Sequence, residues 1–161
     1  MRKNIILADC EKEELKDLIK GLEEELNEKF EIKNCICNKK HSKINNIYRY
    51  IIYMIYPIKF FINRKRINYL IGWQQFFTIF YIMYCEMFKV KKQNKIIILN
   101  FTYKEKKGKM GKIYKKIIKK CLQSEYVDYI HVPSQKYAQK IEKEFKININ
   151  NFIILQFRIN R

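Results

Sequence analysis

Tyr69-Leu-Ile-Gly-Trp-Gln-Gln-Phe-Phe77 is the segment from which the architecture of this chain is best inferred. A short apolar run ends at Gly72, and an aromatic stretch without charged residues continues to Cys85. Residues 95–101 form another apolar run, which leads through a basic loop with two glycines into a helical pattern over residues 109–122. Strand, helix, strand, glycine loop and helix in this order are typical of an α/β domain.

The same alternation extends in both directions from this segment. Apolar runs at residues 5–8, 32–37, 129–132 and 152–155 indicate further strands, and leucines at helical spacing indicate a helix over residues 11–30. Strands that alternate with helices imply right-handed crossovers and a parallel sheet covered on both faces. We therefore predict α/β architecture, a single Rossmann-like three-layer domain with a mainly parallel sheet.

Three further helical segments carry specific expectations. Residues 47–61 are aromatic, and Pro57 should kink or end the helix there. Ser134 should cap a helix that turns Tyr137, Ala138, Ile141 and Phe145 inward. In the third segment, residues 109–122, an apolar stripe opposes the lysines; its members are Met110, Ile113, Tyr114, Ile117, Ile118, Cys121 and Leu122.

Charge is unevenly distributed along the 161 residues, whose formal net charge is +18. Residues 1–31 hold ten acids and six Lys or Arg, whereas residues 32–161 hold 28 Lys or Arg and six acids. The basic part should meet an anionic partner, for which nucleic acid, lipid headgroups and phosphorylated sugar carriers are candidates. A solvated lysine-rich surface is the alternative.

Five scattered cysteines favour thiols in a reducing, cytoplasmic compartment over a disulfide framework. Cys35, Cys37 and His41 lack a fourth nearby ligand, so we predict no metal site. The sequence shows no signal peptide, and we interpret the uncharged residues 67–85 as a strand and a helix rather than a membrane span.

Motifs for nucleotide and nucleophile chemistry are absent from the sequence. Ala8-Asp9-Cys10 stands where a G-x-G-x-x-G fingerprint would follow the first strand, and no P-loop pattern occurs. No Asp-x-Asp pair and no G-x-S-x-G elbow is present. We therefore predict no cofactor and name no catalytic residue.

Four short pieces resemble a known family. They are Ile71-Gly-Trp-Gln-Gln-Phe-Phe, Asn100-Phe-Thr-Tyr-Lys, Lys107-Gly-Lys-Met-Gly-Lys-Ile-Tyr-Lys-Lys and Val132-Pro-Ser-Gln. In this order they are similar to the N-terminal half of bacterial GT-B glycosyltransferases of the group-1 or family-4-like kind. The resemblance covers roughly residues 67–155.

The resemblance implies an acceptor-binding domain, one half of a GT-B fold, that works in cell-surface polysaccharide synthesis. In such enzymes a second Rossmann-like domain holds the sugar nucleotide, and transfer occurs in the cleft between the two domains. The chain is therefore expected to be truncated, split or frameshifted, and inactive without a donor domain from a separate chain. Its expected partner is a saccharide acceptor, which in some such enzymes is lipid-linked.

Candidate binding residues follow from the rule that ligands of open parallel sheets bind at the carboxyl ends of strands. For the acceptor we predict Gly72, Trp73, Gln74, Thr102, Tyr103, Lys104, Ser134 and Gln135. Phosphate or membrane contact is predicted for Lys106, Lys107, Gly108, Lys109, Gly111 and Lys112, because amides at a helix start attract anions.

Two alternatives belong to other functional classes. A peripheral membrane module without catalysis would use the lysines of residues 109–120 and the aromatic segment 47–61 on the inner face of the cell membrane. Nucleic-acid binding would use the aromatic residues and the basic charge. It is disfavoured, because no nucleic-acid-binding motif is present and the aromatic residues lie on apolar stripes as core residues do.

Overall fold

The computed structural model describes residues 2–35 and 43–154. It confirms the predicted α/β alternation. The strands are β1 (Lys3–Ala8), β2 (Glu31–Asn34), β3 (Ile67–Gly72), β4 (Lys95–Ile98), β5 (Tyr129–His131) and β6 (Phe152–Ile153). The α-helices are α1 (Lys16–Leu26), α2 (Lys43–Ile62), α3 (Gln75–Phe88), α4 (Gly108–Leu122) and α5 (Gln135–Phe145), and short 3₁₀ helices occupy Lys12–Leu15 and Arg64–Arg66.

The six strands form one sheet in the order β2-β1-β3-β4-β5-β6. Every neighbouring pair is parallel. The chain first moves from β1 to β2 and then reverses, so that β3 lies on the other side of β1. This reversal is the topological switch point of a doubly wound sheet, and it lies between β1 and β3.

The reversal also determines how helices are shared between the two faces of the sheet. Because parallel crossovers are right-handed, the helix of the first crossover lies on one face and the helices of all later crossovers lie on the other. Accordingly, Leu15 and Leu18 pack with Ile6, Ile71 and Leu99 on the α1 face. The opposite core joins α2, α3, α4 and α5 to the sheet through residues such as Tyr53, Phe77, Ile118 and Ile141.

Two expectations about the helices are corrected by the structure. Pro57 does not end the aromatic helix, because α2 continues to Ile62. The expected inward stripe of α4 is wrong at Met110 and Ile113, which are 74% and 52% exposed. Met110 lies in the first turn of α4 and Ile113 in the second, whereas the buried apolar side chains of this helix, Ile118, Cys121 and Leu122, lie in its C-terminal half. No helix in the described part of the chain is long and apolar enough to cross a bilayer.

Candidate functional site

The carboxyl edge of the sheet, at which the six described strands end, includes the switch point between β1 and β3, where sheets of this topology form a crevice. Leu7 of β1 pairs with Gly72 of β3, so the residues that follow these strands lie side by side. The backbone amide of Trp73 continues this pairing and donates to the carbonyl of Leu7 at 2.9 Å. Ligands of open α/β sheets bind outside the strand ends at such a point.

A charged cluster at this edge joins β1 to α2. Asp9 follows β1 directly, and its carboxylate Oδ2 accepts a hydrogen bond from Arg49 Nη2 at 2.9 Å. The Tyr53 hydroxyl also donates to Oδ2, and it accepts from Arg49 Nη2 at 2.8 Å. The Asp9 side chain is 10% exposed and that of Arg49 is 32% exposed. A polar ligand at the edge can therefore still reach the guanidinium.

Burial sets the protonation state of the tyrosine in this cluster. The pKa of Tyr53 lies above its usual value, first because burial disfavours the phenolate and then because the hydroxyl donates to the Asp9 carboxylate. Tyr53 therefore stays a neutral hydrogen-bond donor over the physiological pH range. Together with Arg49 it fixes the orientation of the Asp9 carboxylate.

Trp73, the residue after β3, is half-buried and packs against the α1-side core. Gly72 precedes it and is buried, and a Cβ added there would lie 2.6 Å from Thr78 Oγ1. The close approach at Gly72 is thus made by the α3 side chain of Thr78. Gln74 is the N-cap residue of α3, and its carbonyl accepts from the amide of Phe77 at 3.2 Å.

Gln75, which the sequence did not single out, ties the β3 end to the loop after β4. Its Nε2 donates to the carbonyl of Thr102 at 2.8 Å, and its Oε1 accepts from the amide of Thr102 at 2.8 Å. This two-point contact holds the backbone of Thr102, while its side chain and that of Lys104 stay exposed. Both exposed side chains therefore extend from a fixed backbone at the carboxyl edge.

Tyr103 lies inside an aromatic cluster between α4 and α5. Its ring stacks on Tyr114 at 5.7 Å and meets Phe145 edge-on at 4.7 Å. Its backbone amide donates to the Tyr137 hydroxyl at 2.7 Å. The pKa of Tyr103 is raised, chiefly by burial. Its hydroxyl is buried and makes no hydrogen bond with the described residues, so the ring is held by packing.

The basic glycine loop is folded back against α4. The Lys106 ammonium lies 4.7 Å from the ring centre of Tyr114 and 5.3 Å from that of Tyr50. A Cβ on Gly111 would lie 1.8 Å from the Lys106 carbonyl oxygen, so this loop occupies the space beside the first turn of the helix. Gly108 begins the helix with a positive φ of 77°. The exposed lysines of this region include Lys106, Lys107, Lys109 and Lys112.

The residues at the end of β5 and just after it make hydrogen bonds that stabilise the local structure. Ser134 is the N-cap of α5, as predicted, and its Oγ accepts from the amide of Tyr137 at 3.2 Å. Gln135, the first residue of that helix, is exposed. The imidazole of His131 is buried, and its Nδ1 accepts from the amide of Asn100 at 3.2 Å. Asn100 has a positive φ of 49°, a conformation that asparagine tolerates better than most residues.

The predicted residues therefore fall into two groups along one edge. Gly72, Trp73 and Gln74 lie at the switch point, and the Gln75 contact joins them to Thr102. The glycine loop and α5 form a second group around Tyr103. Sequence reasoning missed Asp9, Arg49 and Tyr53. Asp9 had a usable signal, because a carboxylate directly after the first buried strand of a parallel sheet lies at the ligand edge.

The described residues contain no group of three or more His, Cys, Asp or Glu that could hold a metal ion. Cys37 and His41, two members of the sequence pattern considered for zinc, lie outside the described residues. A scan of the sequence against models of known protein families finds no match, and a search among curated proteins finds none. What this edge binds must therefore be inferred from its own chemistry.

Proposed function

We propose that this chain is the acceptor-side domain of a glycosyltransferase and binds a saccharide in the crevice between the ends of β1 and β3. One observation carries the proposal. Asp9, which is paired with Arg49 of α2, and Trp73 follow the adjacent strands β1 and β3, where a parallel sheet receives its ligand. Fixed hydrogen-bonding groups and an aromatic ring at the same edge of a sheet are suited to a ligand with hydroxyl groups and an apolar ring face.

The charged cluster and Trp73 have different roles in this proposal. Arg49 and Asp9 would hydrogen-bond sugar hydroxyls, and their mutual contact would orient them before the ligand arrives. The exposed part of Trp73 would stack on the sugar ring. Thr102, whose backbone is held by Gln75, and the nearby Lys104 would contact the acceptor along the same edge. Sugar transfer would further need a domain that holds the sugar nucleotide and faces this edge.

The single tryptophan of the chain gives a direct measurement of binding. We expect the emission of Trp73 to change when the protein is titrated with a panel of disaccharides containing hexoses, N-acetylhexosamines and uronic acids. Asp9→Asn should weaken the affinity for the best disaccharide about tenfold, the loss expected for a charge-assisted hydrogen bond. Asp17→Asn, an exposed aspartate of α1, is the matched control and should leave the affinity unchanged.

Two results would contradict the proposal. The first is that no disaccharide changes the emission of Trp73, although circular dichroism shows that the protein is folded. The second is that uridine diphosphate binds at this edge and competes with the saccharide, because the crevice would then hold the donor rather than the acceptor.

A further inference from the structure

Helix α2 has an apolar surface on its solvent side. Its inward side packs against the sheet and α3 through Tyr53, Pro57 and Phe60, which are buried. A surface helix normally carries polar residues on the opposite side. Here that side is apolar along the described length of the helix; it consists of Ile47 (64% exposed), Ile51 (43%), Met54 (43%), Ile55 (54%), Ile58 (37%) and Ile62 (67%). We refer to these six residues as the α2 outer row.

The C-terminal end of α3 extends this apolar surface. Met87 and Phe88 are 64% and 60% exposed. The ring of Phe88 stacks on that of Phe61 at 5.4 Å, which joins the ends of the two helices. Single exposed apolar residues are ordinary, but a continuous row of this length marks a surface that is covered by something.

Charge around the row indicates which kind of surface would cover it. No acidic residue occurs between Glu31 and Glu86. Lys59 lies beside the row, and Arg64, Lys65 and Arg66 follow the end of α2. On the same layer, α4 presents Lys109, Lys112 and Lys116 to solvent. An aliphatic row bordered by lysines and arginines is complementary to acyl chains beneath anionic headgroups.

The aromatic residues near the start of α2 fit the same environment. Tyr48 and Tyr50 are 58% and 42% exposed, and tyrosine rings are enriched where a membrane meets water. Between α3 and α4, a groove of about 310 Å³ is lined mainly by apolar residues such as Ile82, Met83, Met87 and Ile117, together with the ion pair of Glu86 and Lys120. This apolar groove lies between the α2 outer row and the lysines of α4.

We propose that the α2 outer row inserts into the interface of an anionic bilayer, with α2 parallel to the membrane plane and the lysines of α4 against the headgroups. Arg49 lies on the same helix and holds Asp9, so docking would place the carboxyl edge of the sheet beside the bilayer. Docking itself rests on the outer row and the charge around it, not on the proposed saccharide site.

Sedimentation with vesicles tests the proposal. The full chain should sediment with vesicles made of equal parts phosphatidylglycerol and phosphatidylcholine and should remain in solution with phosphatidylcholine alone. The double variant Ile51→Gln/Ile55→Gln should weaken partitioning by about tenfold or more, because two aliphatic side chains no longer leave water. Ile154→Gln, an exposed isoleucine at the end of β6, is the matched control and should partition as the unmodified protein does.

The contribution of charge is tested with a second pair of variants. Lys112→Gln/Lys116→Gln should weaken binding about fivefold per lysine, since a basic residue near an anionic surface contributes about 1 kcal/mol. Lys136→Gln/Lys140→Gln removes the same charge from α5 and should have a smaller effect. If both pairs weaken binding equally, attraction is due to net charge alone and the proposed orientation is wrong.

Gel filtration separates the bilayer from the other possible occupants of the row. If the unmodified protein does not bind anionic vesicles, the proposal is overturned. In that case, a dimer that Ile51→Gln/Ile55→Gln converts to a monomer would identify the row as a contact between two copies of the chain. Should that variant fail to fold by circular dichroism, Ile58→Gln/Ile62→Gln repeats the experiment at the other end of the row. Loss of vesicle binding with disaccharide binding intact would separate this inference from the proposed function.

Discussion

Helices α1 and α2 lie on opposite faces of the same sheet, and they differ on the side turned away from it. Helix α1 exposes Asp17, Lys20 and Glu24, and Lys20 approaches Glu24 to 3.8 Å along the helix. Helix α2 exposes isoleucines such as Ile51 and Ile55 in the equivalent direction. Both helices bury an apolar inner side, because each must pack against the sheet.

The difference shows which features of α2 are needed for folding and which are not. A helix of this architecture is stabilised by its inner side, and its outer side needs only to be compatible with water. The outer side of helix α1 is compatible with water because it carries charged residues. The α2 outer row does not meet this condition, because its six apolar side chains are 37% to 67% exposed. This exposure is the reason we propose the row as a docking surface.

The largest expected effect tests whether the inner side alone stabilises α2. Tyr53 is 3% exposed and packs on Phe76 and Phe77. Tyr53→Ala should lower the free energy of unfolding by about 3–5 kcal/mol, the range for removing a large buried ring. Ile55→Ala, two residues away on the outer row, should change it by less than about 0.5 kcal/mol. Urea denaturation measures both. A loss of several kcal/mol for Ile55→Ala would mean that the outer row is packed within the domain.

An intermediate effect compares the two hydroxyl groups that hold α2. The Tyr53 hydroxyl donates to the Asp9 carboxylate, and the Tyr84 hydroxyl donates to the Met54 carbonyl at 2.6 Å. Hydrogen bonds to charged groups contribute more than neutral ones, so Tyr53→Phe should cost about 1.5–3 kcal/mol and Tyr84→Phe about 0.5–1.5 kcal/mol. Thermal and urea unfolding would give both values. The reverse order would show that Asp9 does not depend on Tyr53 for its position.

The spacing of apolar residues predicted most of the strands and helices, because each of them keeps one pattern over its whole length. The isoleucines of β4 are a continuous apolar run, and such runs are typical of strands buried on both faces. The capping role of Ser134 was likewise predictable, since a serine between a strand and an apolar helical pattern commonly marks the start of a helix. The path of α2 through Pro57 was not predicted, because sequence alone does not show whether neighbouring elements hold a proline inside a helix.

The candidate site could be predicted only in part, for a different reason. Trp73 and Thr102 were found because both follow strands, and strand ends define the ligand edge of a parallel sheet. Arg49 was missed because it reaches Asp9 from the first half of a helix 40 residues away along the chain. Strand order creates that contact, and the order β2-β1-β3 was not deducible from periodicity. We predicted Gln74 rather than Gln75 as a site residue, because the sequence does not show which of two adjacent glutamines contacts the loop after β4.

The smallest expected effect tests whether the outer side of α1 is open to water, as the contrast with α2 requires. Gly21 lies in the middle of α1, and no atom lies within 4 Å of a Cβ added there. Gly21→Ala should raise the free energy of unfolding by about 0.5–1 kcal/mol, because alanine loses less conformational freedom in a helix than glycine. Gly111→Ala is the matched control in α4, where the added Cβ would meet the Lys106 carbonyl oxygen at 1.8 Å, and it should destabilise the protein. Urea unfolding of both variants gives the comparison. If Gly21→Ala were as destabilising as Gly111→Ala, the outer side of α1 would also be covered, and the two helices would no longer differ in the way described.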